Sequence, residues 1–157
     1  MPFARREKNE AEAADQPPRE QAALFKRGLL APWFFRYRLQ QEIERSHRHG
    51  YPMAAVVLAP QLLARDRLSA EKAAAAAASV VATSRVTELM SWLDAHRIVL
   101  VLLDTDDERA RTAAERLRSD MWLRSRQLGA VKWLVGAPID AAAFETVDAL
   151  LDALKAG

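Results

Sequence analysis

A chain of 157 residues, half of them hydrophobic and 28% charged, has the size and composition of one globular domain rather than of a disordered, fibrous or membrane protein. With 23 Lys and Arg against 21 Asp and Glu, the net charge of +2 gives no indication of a nucleic-acid partner. The absence of cysteine excludes disulfides, thiol nucleophiles and thiolate zinc sites, and no apolar run approaches the roughly 18 residues that a membrane-spanning helix requires.

Residues 1–22 are predicted to form a flexible tail. Prolines lie there among mixed charges and alanines, and Phe3 is the only large apolar side chain between Met1 and Gln21. Such a segment buries too little apolar surface to offset the entropy lost on ordering. Charged residues also stand where a signal peptide would have its apolar stretch, so we expect a cytoplasmic protein. The folded domain is expected over residues 23–157.

The domain is predicted to begin with a helix over residues 32–50 and a strand over 53–59. Phe35, Leu39 and Ile43 are spaced four apart among charged neighbours, which is typical of an amphipathic helix. A proline at its start and a glycine at its end delimit that helix. The apolar run MAAVVLA at 53–59 lies between two prolines and indicates a buried strand.

A second helix and a hairpin are predicted next. Ser69 can cap a helix that runs through six consecutive alanines to about Ser84, and its small side chains allow close packing on a sheet. Two strands follow over residues 85–93 and 97–103, and the second is almost continuous Val, Ile and Leu, as in a central strand. A tight turn at 94–96 makes them an antiparallel pair.

The last predicted elements are a long helix, a strand and a closing helix. Asp104 or Thr105 can cap the long helix, which continues to about Gln127 and has carboxylates in its first turn, where they suit the helix dipole. The strand is expected over residues 130–137 and the closing helix over 141–155. After the first helix the order is β-α-β-β-α-β, the ferredoxin-like arrangement. We therefore predict an α+β fold whose antiparallel-containing sheet is flanked by helices.

Few residues support chemistry on nucleotides or metals. No glycine lies between residues 50 and 129, which excludes a phosphate-binding loop in the central turns. His47 and His49 stand two apart near a helix end, so we expect solvated side chains rather than metal ligands. His96 beside Asp94 could form a catalytic dyad, but no Ser or Cys nucleophile stands at a motif spacing, which favours an exposed turn pair. No metal and no cofactor is expected.

The order of these segments resembles the GGDEF domains, diguanylate cyclases that join two GTP molecules into cyclic di-GMP. Residues 28–43 (GLLAPWFFRYRLQQEI) resemble the family's GLLNRRxFxxRLxxEI, and residues 48–59 (RHGYPMAAVVLA) resemble its RxGxPLxLLLxD strand. Residues 85–118 resemble, without a gap, the block from RxxD through the GGDEF hairpin to LLPDTxxxxAxxxAExIR. Residues 131–137 and 149–155 fit the last strand and a shortened closing helix. The resemblance implies the nucleotidyl cyclase-like version of the predicted fold.

The positions that carry catalysis in this family differ here. The resemblance places Ala31 where the enzymes have a guanine-reading Asn, Ala59 where they have a metal-binding Asp, and residues 94–98 (DAHRI) where they have the GGDEF signature. The family segment with DxFKxIND and GHxxGD is missing through a deletion of about fifteen residues between Leu62 and Leu68, judged from loop lengths. Without metal carboxylates, glycine backbone or guanine contacts, nothing binds or activates GTP. The resemblance thus implies a degenerate domain that is not an enzyme.

One family feature is kept in part. Many members bind cyclic di-GMP at an inhibitory site formed by an RxxD motif before the hairpin and an Arg on the following long helix, and Arg85 and Arg116 fall on the two arginine positions. Guanidinium groups can address guanine or phosphate bidentately, whereas Glu88 replaces the Asp and adds a methylene. Alternatively, Arg85 and Glu88 form an ordinary exposed pair and Arg116 belongs to a solvated face. Arg109 lies on the same helix but outside the motif, so Arg109→Ala is expected to change cyclic di-GMP binding little.

Two functions follow from these residues. In the first, the chain is a signalling module that binds cyclic di-GMP at Arg85, Glu88 and Arg116 and alters contacts with a protein partner. In the second, it is a scaffold that binds no nucleotide and keeps the fold as an interaction surface. The sequence leaves a homo-oligomer open. Exposed side chains at Trp33, Trp92, Met121 or Trp122 would favour an interface, and core packing is the alternative role for all four.

Overall fold

The computed structural model describes residues 29–61, 78, 80, 88–127 and 132–157. The predicted tail, the deletion after β-strand 53–59 and Arg85 lie outside these residues, as does most of the alanine-rich helix, of which Ala78 and Val80 are helical. The described elements are, in chain order, β1 (Leu29–Leu30), α1 (Pro32–His49), β2 (Met53–Gln61), β3 (Leu89–Trp92), β4 (Ile98–Leu103), α2 (Asp107–Gln127), β5 (Lys132–Val135), β6 (Ile139–Asp140), a 3-10 turn at Ala141–Ala143 and α3 (Val147–Ala156).

The described strands form one sheet in the order β1-β3-β4-β2-β5, and β6 also pairs with β2. β1 and β3 are parallel, whereas β3 with β4, β4 with β2, and β2 with β5 are antiparallel. This order confirms the predicted α+β fold with an antiparallel central hairpin. β4 lies between two strands and consists of IVLVLL, so its continuous apolar character matches a strand covered on both faces.

Helices cover both faces of the sheet. On one face α1 and α3 pack against alternate residues of β2 and β4, and Phe35, Leu39 and Ile43 of α1 are buried there as their spacing predicted. On the other face α2 packs together with Val80. α1 ends at Gly50, whose backbone has a φ of 71°, a left-handed conformation that glycine adopts without strain.

Three boundaries differ from the prediction because of local hydrogen bonding. β2 continues through Pro60. Beyond Leu58, where β4 begins, β2 is paired only with β5, and a strand paired on one side tolerates the missing N–H of a proline. The closing helix is interrupted: the Asp140 side chain accepts a hydrogen bond from the Ala142 backbone N–H and caps a separate 3-10 turn. The Thr146 hydroxyl then caps α3, so two capping side chains produce two helical segments. The short strands β1 and β6 were not predicted.

The cap of α2 also differs from the prediction. Asp106, rather than Asp104 or Thr105, accepts a hydrogen bond from the Arg109 backbone N–H, at 2.9 Å. The Thr105 hydroxyl instead donates to the carbonyl oxygen of Leu103, and Asp104 has a φ of 50°. Asp104 therefore reverses the chain direction after β4 in a left-handed conformation, which Asp adopts more readily than most residues, and the helix starts after Asp106.

Candidate functional site

The turn between β3 and β4 is held together by one carboxylate. One oxygen of Asp94 accepts hydrogen bonds from the backbone N–H groups of His96 and Arg97, at 2.9 and 2.8 Å. Its other oxygen accepts from Nε of Arg97, at 2.8 Å. The carboxylate binds the backbone of His96 rather than its imidazole, so the geometry matches the predicted turn pair and not the alternative dyad. A turn built this way uses the Asp94 oxygens internally.

These contacts also shift the acidity of Asp94. Burial, the largest single influence, raises the pKa of its carboxyl group. The hydrogen bonds from His96 and Arg97, together with the positive charge of Arg97, outweigh that effect and hold the pKa below its ordinary value. Asp94 is therefore an ionised structural anion at neutral pH.

Arg97 connects this turn to the end of the chain's last helix. Its guanidinium donates to the carbonyl oxygen of Lys155 at 3.1 Å and approaches that of Leu154 at 3.5 Å. Terminal carbonyls of a helix lack partners within the helix and carry partial negative charge, so a guanidinium there satisfies them and stabilises α3. A cation thus occupies the fourth position of the segment that resembles GGDEF, where that signature has a glutamate.

Ala31 and Ala59 lie at the same end of the sheet as the turn. Ala59 follows Leu58, whose partner on β4 is Ile98, and Ile98 directly follows Arg97. Ala31 follows β1 and is fully buried, and it offers no side-chain cap to α1. The fold therefore assembles the positions that the resemblance associates with catalysis, and in this chain their side chains supply no metal ligand and no guanine-binding amide.

A cleft of about 670 Å³ opens at the opposite end of the β3–β4 hairpin. Its walls are the end of β4, the loop that follows and the first half of α2, together with Glu88 just before β3. Glu88 and Arg116 both line this cleft, and both also border a small void between the sheet and α2. The structure thus brings two of the three predicted ligand residues to one surface, while Arg85 lies outside the described residues.

The cleft contains charged residues that the sequence did not associate with it. Arg109, which lies outside the motif, also lines it, because positions 109, 112, 113 and 116 share one face of α2. The described lining carries four carboxylates and two guanidinium groups. The acidic residues after β4 follow a strand end, which is the sequence signal that could have indicated them, whereas the sequence analysis assigns them only to the cap and first turn of α2. Those carboxylates are Glu88, Asp104, Asp106 and Glu108.

The histidines near the end of α1 do not converge. Nε2 of His47 is hydrogen-bonded to the carbonyl oxygen of Ala142 at 2.9 Å, whereas the ring of His49 lies 5.9 Å from that of Tyr51. In the part of the chain that the structure describes, no group of three or more His, Asp or Glu side chains is arranged to hold a metal ion. Among the described helices, none is long and apolar enough to cross a membrane.

Two of the four aromatic and Met side chains considered for an interface are exposed. Trp33 is 44% exposed and Trp122 is 49% exposed. Trp92 is half-buried, and Met121, a residue of α2, is buried in the core between α2 and the sheet. Tyr37, one turn after Trp33 on α1, is 58% exposed. The outer face of α1 therefore presents aromatic surface to solvent.

Comparison with solved structures identifies the fold. No protein-family model and no curated protein matches the sequence. The diguanylate cyclase SiaD of Pseudomonas aeruginosa, solved with its activator SiaC, aligns over 99% of this chain and 70% of its own with a TM-score of 0.61 and 21% identity. The GGDEF domain of DgcB from Caulobacter crescentus, solved with c-di-GMP, aligns over 82% and 84% with a TM-score of 0.59 and 15% identity.

An active GGEEF domain from Vibrio cholerae aligns over 78% of this chain and 89% of its own, with a TM-score of 0.57 and 16% identity. The chain has the fold of a GGDEF domain. This confirms the fold that the sequence resemblance implied. At these identities the GGDEF likeness concerns the fold, and function has to be argued from this chain's own residues.

Proposed function

We propose that this GGDEF-fold chain is a catalytically inactive signalling domain that binds cyclic di-GMP in the cleft beside Glu88 and Arg116. The observation that carries the proposal is the meeting of these two side chains in one cleft, at the place where the RxxD resemblance implies a ligand. The DgcB domain with c-di-GMP shows that this fold accommodates such a ligand in a relative. A cytoplasmic location and a protein partner belong to the same proposal.

The inactivity follows from the chemistry of the β3–β4 turn. Phosphoryl transfer from GTP requires cations held by carboxylates and backbone N–H groups aimed at phosphate. Here Asp94 is used within the turn, Arg97 binds the end of α3, and the side chain of Ala59 has no ligand atom. The Arg97 guanidinium stands where the GGDEF signature has a glutamate, and its positive charge would also repel a divalent cation.

The cleft has the size and the groups for a guanine nucleotide. Its volume of about 670 Å³ lies within the roughly 300–1,000 Å³ range of ligand sites. A carboxylate such as Glu88 can accept hydrogen bonds from the N–H groups of a guanine base, and a guanidinium such as Arg116 can bind phosphate or the acceptor edge of guanine. Arg85 is assigned to the same site by the sequence motif.

Calorimetric titration with cyclic di-GMP tests this assignment. Arg116→Ala and Arg85→Ala should each weaken affinity about tenfold, since one charge-assisted contact contributes about 1.5–3 kcal/mol. Arg111→Ala is the matched control, because Arg111 lies on α2, pairs with Asp107 and does not line the cleft. Equal weakening by Arg111→Ala, or an absence of binding by the unaltered chain at tens of micromolar ligand, would contradict the receptor proposal.

A nucleotide-independent scaffold is the second candidate function. The exposed aromatic surface of α1 at Trp33 and Tyr37 favours it, because exposed aromatic residues are enriched at protein interfaces. SiaD, solved with its activator SiaC, shows a relative of this fold bound to another protein. The scaffold function is supported if cyclic di-GMP does not bind and Trp33→Ala disrupts a protein complex isolated with this chain.

A further inference from the structure

The outermost face of α1 carries a regular pattern of exposed side chains. They recur every three or four residues, so at roughly 3.6 residues per turn they lie within a sector of about 80°. The buried residues of α1 lie on the opposite side of the helix. We call this row of side chains the outer stripe; its members are Trp33, Tyr37, Gln41, Glu44 and Arg48, and all five are exposed.

The charged residues on both flanks of the outer stripe have partners within the chain. On one flank Arg36 pairs with Asp148 of α3, and on the other Arg45 pairs with Glu42. Arg48, in contrast, forms no ion pair with a carboxylate of the described residues. Its guanidinium is therefore available to a partner that covers this face.

The aromatic end of the outer stripe is held in place by ring contacts. The ring centroid of Phe34 lies 5.6 Å from that of Trp33 and 6.3 Å from that of Tyr37. Side chains that are already ordered lose less conformational entropy when a partner binds. Trp, Tyr and Arg are also the residue types that most often dominate the binding energy of protein interfaces, and the outer stripe contains all three.

The outer stripe is complementary to itself when its direction is reversed. In an antiparallel pair of α1 helices, Trp33 of one copy lies opposite Arg48 of the other, and Tyr37 lies opposite Glu44. A guanidinium over an indole makes a cation–π contact, and a phenol hydroxyl can donate to a carboxylate. Both pairs share one midpoint just before Gln41, so a single two-fold axis produces all four contacts. A parallel pair would instead bring like charges together.

We propose that the outer stripe is a dimer interface, occupied by the antiparallel α1 of a second copy of this chain. The proposal names a partner for the surface on which the scaffold alternative rests, and it does not depend on cyclic di-GMP binding. α1 has 18 residues and is about 27 Å long. A single helix pair of this length makes a smaller contact than most stable interfaces, so we expect a weak dimer that forms at high protein concentration.

Sedimentation equilibrium over a concentration series tests the dimer. The unaltered chain should change from monomer to dimer as its concentration rises into the millimolar range. Arg48→Glu should weaken the dimer about tenfold, because it removes two symmetry-related cation–π contacts at once. Arg111→Glu makes the same charge change on an exposed side chain of α2 and should leave the dimer unchanged. A chain that stays monomeric at millimolar concentration, or a dimer that both variants leave equally stable, would overturn the proposal.

A charge-swapped variant tests the antiparallel register. Trp33→Lys alone should weaken the dimer, since the new lysine would face Arg48 of the other copy. Combining Trp33→Lys with Arg48→Glu should restore association, because each lysine then faces a glutamate, whereas a parallel pair would oppose like charges and show no recovery. Circular dichroism should show that these variants are folded, as the substituted side chains are exposed. A double variant as weak as the single ones would overturn the proposal.

The results for the dimer and for the ligand can be separated. If the chain stays monomeric and binds cyclic di-GMP, the dimer proposal fails and the receptor function is unaffected. If it dimerises through the outer stripe and binds no cyclic di-GMP, only the receptor function fails. A complex with another protein that Arg48→Glu disrupts, while the chain alone stays monomeric, would assign the outer stripe to a different partner and overturn the dimer.

Discussion

Replacing Arg97 with alanine should destabilise the domain through a contact that joins residues far apart in sequence. The guanidinium pairs with Asp94 in the β3–β4 turn and donates to the carbonyl oxygen of Lys155 at the end of α3. Arg97→Ala removes both interactions at once. It leaves the Asp94 carboxylate with its two backbone hydrogen bonds but without its cation, and it leaves the last carbonyls of α3 to water.

The expected loss follows from the exposure of the two groups. A hydrogen bond to a charged partner contributes about 1.5–3 kcal/mol, and a cation at a helix end about 0.3–1 kcal/mol. The side chains of Arg97 and Asp94 are 22% and 34% exposed, so water screens part of their attraction. We expect Arg97→Ala to lower the free energy of unfolding by about 2 kcal/mol in all, which corresponds to roughly 4–8 °C in Tm for a chain of this size.

Thermal unfolding followed by circular dichroism measures this change. Arg111→Ala is the control, since Arg111 and Asp107 form an exposed ion pair within one helix that should contribute only about 0.3–0.5 kcal/mol. If Arg97→Ala lowers Tm no more than Arg111→Ala does, the turn and α3 are not coupled through the guanidinium. The structural role assigned to Arg97 would then be refuted.

The same pair predicts the pH dependence of the effect. Because the pKa of Asp94 is lowered in the folded chain, its contribution to stability is present above the unfolded aspartate value of about 3.9 and is lost as the pH falls through the folded pKa. The difference in Tm between the unaltered chain and Arg97→Ala should therefore be full at neutral pH and shrink below about pH 4. A difference that stays constant into acid would contradict the ionised pair.

Three further outcomes are expected. The purified chain should make no cyclic di-GMP from GTP with Mg²⁺ or Mn²⁺, because Ala59 and Arg97 supply no metal ligand, and turnover that depends on the divalent ion would contradict this. In hydrogen exchange, the backbone amides of residues 99–103 in β4 should exchange most slowly, and those before Pro17 should exchange almost freely. Strong protection of the amides before Pro17 would contradict the predicted start of the domain at residue 23. Asp106→Ala should cost about 1 kcal/mol by removing the cap of α2, and unchanged urea unfolding would refute that cap.

The elements that the sequence predicted best are those with a local periodic signal. The four-residue spacing in α1 and the uninterrupted apolar run of β4 each encode burial within one segment, and both appear as predicted. The order of these segments was enough to predict the ferredoxin-like topology. The two-residue strands β1 and β6 were missed, since so short a strand has no period and depends on its partner for hydrogen bonds.

The sites were less predictable because they depend on contacts between distant segments. Nothing near Arg97 in the sequence indicates that its guanidinium binds carbonyl oxygens more than fifty residues later. The motif predicted one site for Glu88 and Arg116, and both line one cleft, but the motif gave no information on the carboxylates that share this cleft. The cap of α2 was also predicted at the wrong residue, Asp104 or Thr105 instead of Asp106. Adjacent residues have similar capping propensities, so the sequence does not determine which of them accepts the hydrogen bond.

The turn and the cleft lie at opposite ends of the β3–β4 hairpin. They are separated by the six residues of β4, which is about 20 Å at the usual rise of a strand. The residues at Asp94 to Ile98 therefore lie away from Glu88 and Arg116, and the proposed loss of catalysis at the turn is no argument against ligand binding in the cleft. Conversely, a ligand in the cleft would contact the end of β4 and α2. It could then influence α3 through the packing of α3 on β4 and through the Arg97 contacts at the far end of the hairpin.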